Sequence, residues 1–140
     1  MKTSFVILLL ILFNLAGCKK TYEDTFEYRI VGQNICAIKD KNIASAKQIN
    51  WIFPEIRNFS GDVVSGNLKT NKENTKYLFC YNIEQFKNEV GTGSIQSDIG
   101  VEIDFTSSVQ EYNLRNYSCI LDNTIKLNLS KKELRKICIN

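Results

Sequence analysis

The sequence contains no histidine, and that absence is its clearest chemical statement. Without imidazole there is no Ser-His-Asp or Cys-His catalytic group and no histidine-based metal site. Carboxylate and lysine chemistry survive the exclusion. A dominant charge is lacking too: 18 lysines and arginines stand against 15 acidic residues. Such a balance leaves no clustered basic footprint for nucleic acid, so none is expected as a partner. The densest basic stretch, Lys131-Lys132 with Arg135-Lys136, reads as a solvated helix face. No low-complexity tract interrupts the chain, and no cysteine pair has the close C-x₂-C spacing of zinc ribbons. Gly91-Thr92-Gly93-Ser94 starts like a phosphate loop but lacks the Gly-Lys-Ser/Thr ending, and reads as a flexible loop. No cofactor is implied by these residues.

What the chain does have is a short apolar run near its start. Lys2 gives a positive first region, and Phe5 to Phe13 are uninterruptedly apolar. The run is too short for a hydrocarbon core that needs about 20 residues. It closes on Leu15-Ala16-Gly17-Cys18, two small residues directly before a cysteine. This tetrapeptide resembles the lipobox of bacterial lipoproteins. The resemblance implies cleavage before Cys18 and a diacylglyceryl group on its sulfur, hence an envelope protein anchored in a membrane through lipid. Residues 1–17 are then a signal peptide and residues 18–25 a lipidated tether. By analogy with that family, Lys19, which is not aspartate, points to the outer membrane rather than the inner. Two or more acyl chains hold a protein durably where one does so only marginally.

The other four cysteines are Cys36, Cys80, Cys119 and Cys138. An even count in an oxidising compartment predicts two disulfides, in any of three connectivities. Cys36–Cys80 with Cys119–Cys138 is preferred, because the second bridge would staple a terminal helix to a preceding strand.

Residues 26–140 are large enough for one small domain. Phe26 to Ile30 alternates as a first strand, Gly32-Gln33-Asn34 marks a turn, and Ile35 to Ile38 forms a second strand. Asp40 caps an expected helix over Lys41 to Asn50, with Ile43, Ala46 and Ile49 on one side, and Pro54 stops it. Trp51-Ile52-Phe53 reads as core packing rather than as an exposed patch. A strand is expected over Asp62 to Thr70, interrupted at Ser65-Gly66, and a hairpin connection at Asn71 to Thr75. Tyr77 to Tyr81, continuously apolar, reads as a central strand covered on both faces. Asn82 to Val90 is a short helix ended by Gly91. Val101 to Phe105 is an amphipathic strand, followed by a strand over Tyr112 to Leu121 with irregularity at Asn113 and Asn116. A turn at Asp122-Asn123 leads to an edge strand around Ile125, Leu127 and Leu129. Ser130 and Glu133 make a capping box that opens a terminal helix, with Cys138 facing the sheet. The expected fold is α+β: a mostly antiparallel β-sheet with two or three short helices.

No convergent set of acids, bases and nucleophiles emerges, so a non-catalytic binding or structural role is expected. Glu102 and Asp104 project from one strand face, as any half-exposed strand would place them. A carboxylate hydrolase would need one of them beside Asp98 in a cleft. An inhibitor or immunity-type protein would need an exposed loop, with Ser65-Gly66-Asn67 or Gly91 to Asp98 as candidates.

Overall fold

The computed structural model describes residues 24–39, 41–65, 68–72 and 76–138. The expected signal peptide, Cys18, Lys19, the expected capping residue Asp40, and Gly66-Asn67 lie outside the described residues. Within them the chain forms eight strands and three short helices: β1 (Asp24–Thr25), β2 (Tyr28–Val31), β3 (Asn34–Ile38), α1 (Lys41–Ala44), β4 (Gln48–Arg57), β5 (Tyr77–Asn82), α2 (Ile83–Val90), β6 (Gly93–Asp104), β7 (Val109–Leu121), β8 (Thr124–Leu129) and α3 (Lys131–Cys138). They make two sheets. The larger runs β1-β7-β6-β4, with β8 also on β7, and the smaller runs β2-β3-β5. Apart from β1, which lies parallel to β7, every pairing is antiparallel. The chain is therefore an α+β protein of the expected kind.

One core joins both sheets. Ile35, Ala37, Phe79 and Tyr81 come from the smaller sheet, and Ile52, Ile56, Ile99, Val101 and Leu114 from the larger. Ile43 of α1 and Phe86 and Val90 of α2 complete it. Helix α2 forms where expected. The Asn82 side chain accepts from the N–H groups of Glu84 and Gln85, and Gly91 closes the helix at φ 69°. The capping box of α3 is present as well, Ser130 N–H donating to Glu133 and Glu133 N–H to Ser130 Oγ. Asp122 and Asn123 both have positive φ, the signature of a type I′ hairpin turn, between β7 and β8.

Several expectations are corrected. The helix predicted over Lys41 to Asn50 lasts only to Ala44, and Gln48 already begins β4. A register shift between Ile49 and Trp51 explains the misreading. This bulge puts two residues, Asn50 and Trp51, between the inward-facing Ile49 and Ile52, an i, i+3 spacing that imitates a helix. Pro54 lies inside β4 and does not end an element. β4 is an edge strand, and the main chain at Pro54 and Ile56 points away from β6, where Ser65 Oγ donates to Pro54 O and accepts from Ile56 N–H. The missing proline N–H interrupts no ladder.

The strand expected over Asp62 to Thr70 is instead a connection with isolated bridges at Val63 and Thr70, because Ser65 takes up the edge of β4 with its side chain. β5 is not central: among the described residues it ends the order β2-β3-β5, and its other edge meets only an isolated bridge from Thr70 to Phe79. Its apolar run is continuous because Leu78 and Phe79, on opposite faces, are both buried. The Gly91 to Asp98 loop is mostly strand, since β6 starts at Gly93. The first strand breaks at Phe26-Glu27, where the chain passes from the larger sheet to the smaller, and this leaves Ile30 54% exposed. The tether expected to reach residue 25 gives way to strand pairing at Asp24. Asn113 and Asn116 keep regular register with β6; the irregularity lies opposite, in β8, where Asn128 has φ 57°.

Both disulfides take the preferred pairing. Cys36 and Cys80 are directly opposed in β3 and β5, with Cα atoms 4.0 Å apart. Cys119 of β7 bonds Cys138 of α3, stapling the terminal helix to the sheet.

Candidate functional site

Strand alternation divides the large sheet into two faces. On β6, Ile95, Ser97, Ile99, Val101 and Ile103 point into the core, and all are buried. Gln96, Asp98, Gly100, Glu102 and Asp104 therefore point the other way. Cross-strand register places their neighbours in rungs: Arg57–Gln96–Tyr117, Glu55–Asp98–Arg115, Phe53–Gly100–Asn113 and Trp51–Glu102–Glu111. This outward face is the candidate site.

Its centre is aromatic. The Trp51 indole lies over Gly100, so close that a Cβ there would stand 2.9 Å from the ring. Glycine thus forms the floor on which the indole rests. Phe53 sits directly across from Gly100 and is 65% exposed, a large apolar surface for a partner to cover. Trp51 and Phe53 were expected in the core, yet only Ile52 between them goes inward. Read with Ile52 and Ile56 inward, residues 51–57 alternate. That signal was present in the sequence but hidden by Pro54 and by the false helical spacing.

Charges flank the aromatics. Arg115 holds Asp98 with two hydrogen bonds, of 2.6 and 2.8 Å, and Gln96 Nε2 donates to the same carboxylate at 2.9 Å. That pairing pushes the Arg115 guanidinium above its ordinary value, with burial working against it. Arg57 pairs with Glu55 and donates to Gly61 O. At the far end, Asn50 Nδ2 donates to Glu102 at 2.9 Å and to Asp104 at 3.0 Å. Glu111 lies directly opposite Glu102, a like-charge pair that costs stability. Lys47 stands at the margin of this end, its N–H bonded to Asp104 O.

The carboxylates singled out for hydrolysis do share a face, but they do not converge. Asp98 and Glu102 are separated by about 14 Å of strand at roughly 3.4 Å per residue, and Asp98 is occupied by Arg115. The face is an open sheet, not a cleft between walls. Of the inhibitor-type loops, Gly93 to Asp98 belongs to β6 and Ser65 is buried against β4. Gly91-Thr92-Gly93-Ser94 closes α2 and opens β6. Among the described residues, no group of three or more acidic or cysteine side chains is placed to hold a metal ion.

Opposite the acidic end, α3 lies on the same outward face. Cys119 has the strand parity of Tyr117 and Arg115, and its bond to Cys138 draws the helix over it, with Leu134 buried beneath. Lys131, Lys132 and Arg135 are exposed on this helix and line one shallow depression. The helix face expected to be solvated is so, but it also stands at one end of the candidate site. No family model, curated protein or solved structure matches the chain.

Proposed function

We propose that the protein is a lipid-anchored component of the bacterial cell envelope, held by Cys18, whose folded domain performs non-catalytic binding through its open sheet face. The lipobox-like Leu15-Ala16-Gly17-Cys18 supports the anchor. Among the described residues no helix is long and apolar enough to cross a membrane. The observation that carries the binding reading is the outward-facing pair of exposed Phe53 and half-buried Trp51, set around Gly100 between charged rungs. Aromatic anchors framed by polar groups are what binding hot spots are made of. The partner is a protein or another envelope component.

Two measurements test the two halves. Intact mass of membrane-extracted protein, with Cys18→Ala beside it, is expected to show a shortened, acylated chain only when Cys18 is present. An unprocessed, unacylated wild type defeats the anchor. Cross-linking in whole cells is expected to give discrete adducts that Phe53→Ser diminishes; adducts indifferent to that change defeat the binding face.

A further inference from the structure

The open face is bipolar and stepped. Helix α3 raises one end of it, carrying the exposed cations Lys131, Lys132 and Arg135. The other end is bare sheet, carrying Glu102, Asp104 and Glu111. The rung of Ser94 and Cys119 beneath α3 lies eight residues from the Glu102 rung, about 27 Å at roughly 3.4 Å per residue. The aromatics Trp51 and Phe53 lie between the two ends.

We propose that this face pairs with the same face of a second copy of the chain, across a two-fold axis near the Asp98 and Gly100 rungs. The inference rests on the reading of this face as the docking surface and names its occupant. A uniformly acidic face would call for a basic partner of another kind. Here both signs are present at opposite ends, so a half-turn brings each acidic end onto the partner's α3. The same half-turn fits each raised helix over the partner's bare sheet, and stacks Phe53 near its own copy. An isologous contact of this sort closes at two subunits. Size is compatible: β4, β6 and β7, about 4.8 Å apart and some 40 Å long, project on the order of 600 Å² before side chains and α3 are added. A standard interface takes about 800 Å² from each partner. The Glu102–Glu111 repulsion, a cost in the monomer, is relieved when cations of the second copy arrive.

The test is sedimentation equilibrium of the full chain extracted in detergent, at low and high salt, with circular dichroism to verify folding. The wild type is expected to be a dimer whose association weakens about tenfold or more in high salt, as screening shortens the reach of its charges. Phe53→Ser is expected to be monomeric. Glu102→Lys and Lys132→Glu are each expected to weaken the dimer, and the double variant to restore it. A wild type that stays monomeric at low salt overturns the proposal, as does a dimer indifferent to both Phe53→Ser and Glu102→Lys. The cross-linking of Phe53→Ser in cells separates the two readings. A monomer whose adducts still depend on Phe53 loses the dimer and keeps the docking face; a monomer with indifferent adducts loses both.

Discussion

The carboxamide of Asn128 takes both main-chain hydrogen bonds of Tyr28, accepting from its N–H at 2.7 Å and donating to its carbonyl at 2.9 Å. A side chain on β8 thereby does for β2 what a neighbouring strand would do. Asn116 Nδ2 reinforces the join, donating to Asn128 Oδ1 and to Phe26 O, while Ser118 Oγ donates to Asn116 Oδ1. The two sheets are thus tied by amides across a sequence separation of 100 residues.

Removing that carboxamide strands buried polar groups at the junction. Asn128→Gly is expected to cost about 1–3 kcal/mol, the penalty for buried groups left unpaired. Asn128→Ala is expected to cost roughly 1 kcal/mol more, because the backbone there has φ 57° and alanine resists the left-handed region. Urea denaturation of the three proteins checks the order wild type, Gly, Ala.

Deeper in the same junction, the hydroxyls of Tyr28 and Ser97 are buried without a hydrogen bond of normal geometry among the described residues. Burial pushes the Tyr28 phenol far above its ordinary value, the nearby Ser97 offsetting this slightly. Tyr28→Phe combined with Ser97→Ala is expected to leave stability unchanged or raise it by about 1 kcal/mol. A loss of 2 kcal/mol or more on the same scale in thermal unfolding would contradict it.

The two disulfides are expected to differ in weight. They close separations of 44 and 19 residues. Chain entropy then assigns about 4 kcal/mol to Cys36–Cys80 and about 3 kcal/mol to Cys119–Cys138. The effects also differ in place. Replacing Cys119 and Cys138 by serine is expected to raise hydrogen exchange first in α3, whereas replacing Cys36 and Cys80 lowers global stability. Peptide-resolved exchange distinguishes the two patterns.

At the open face, Gly100→Ala pushes against the Trp51 ring rather than against backbone. The indole is half-exposed and its ring, not backbone, is what the new methyl meets, so stability is expected to change by less than about 1 kcal/mol, alanine's gain over glycine offsetting the displacement. The sole tryptophan reports the motion. Its emission is expected to shift to the red, with greater quenching by acrylamide.

The α3 capping box predicts an acid dependence. The side-chain hydrogen bond with Ser130 lowers the Glu133 carboxyl below its ordinary value, and the Ser130 N–H adds to this. A folded value below the unfolded one stabilises the helix above the unfolded pKa, about 4.3, and the effect fades as pH falls through the folded value. NMR titration of Glu133 is expected to move upward in Ser130→Ala, and α3 amides to exchange faster below pH 4 or so.

The local devices were legible because they need only neighbours in the chain. Ser130 with Glu133, Asn82 before Ile83, Gly91 after Val90, and Asp122-Asn123 all act within a few residues. Alternation in β8 and the even number of cysteines after residue 18 were of the same kind, and from them the α+β class followed. What the sequence concealed was the phase of β4 and β6. A bulge beside Asn50 gave Ile49 and Ile52 a helical spacing, and Ser97 among the inward isoleucines broke the apolar alternation of β6. Whether Trp51 and Phe53 face core or solvent depends on that phase, and the phase is set by ladder partners in β6 about fifty residues away. Local preference therefore determined the caps and turns that act within a few residues. Only the tertiary pairing decided which side of each strand is buried, and so brought Trp51, Gly100, Glu102 and α3 onto one face.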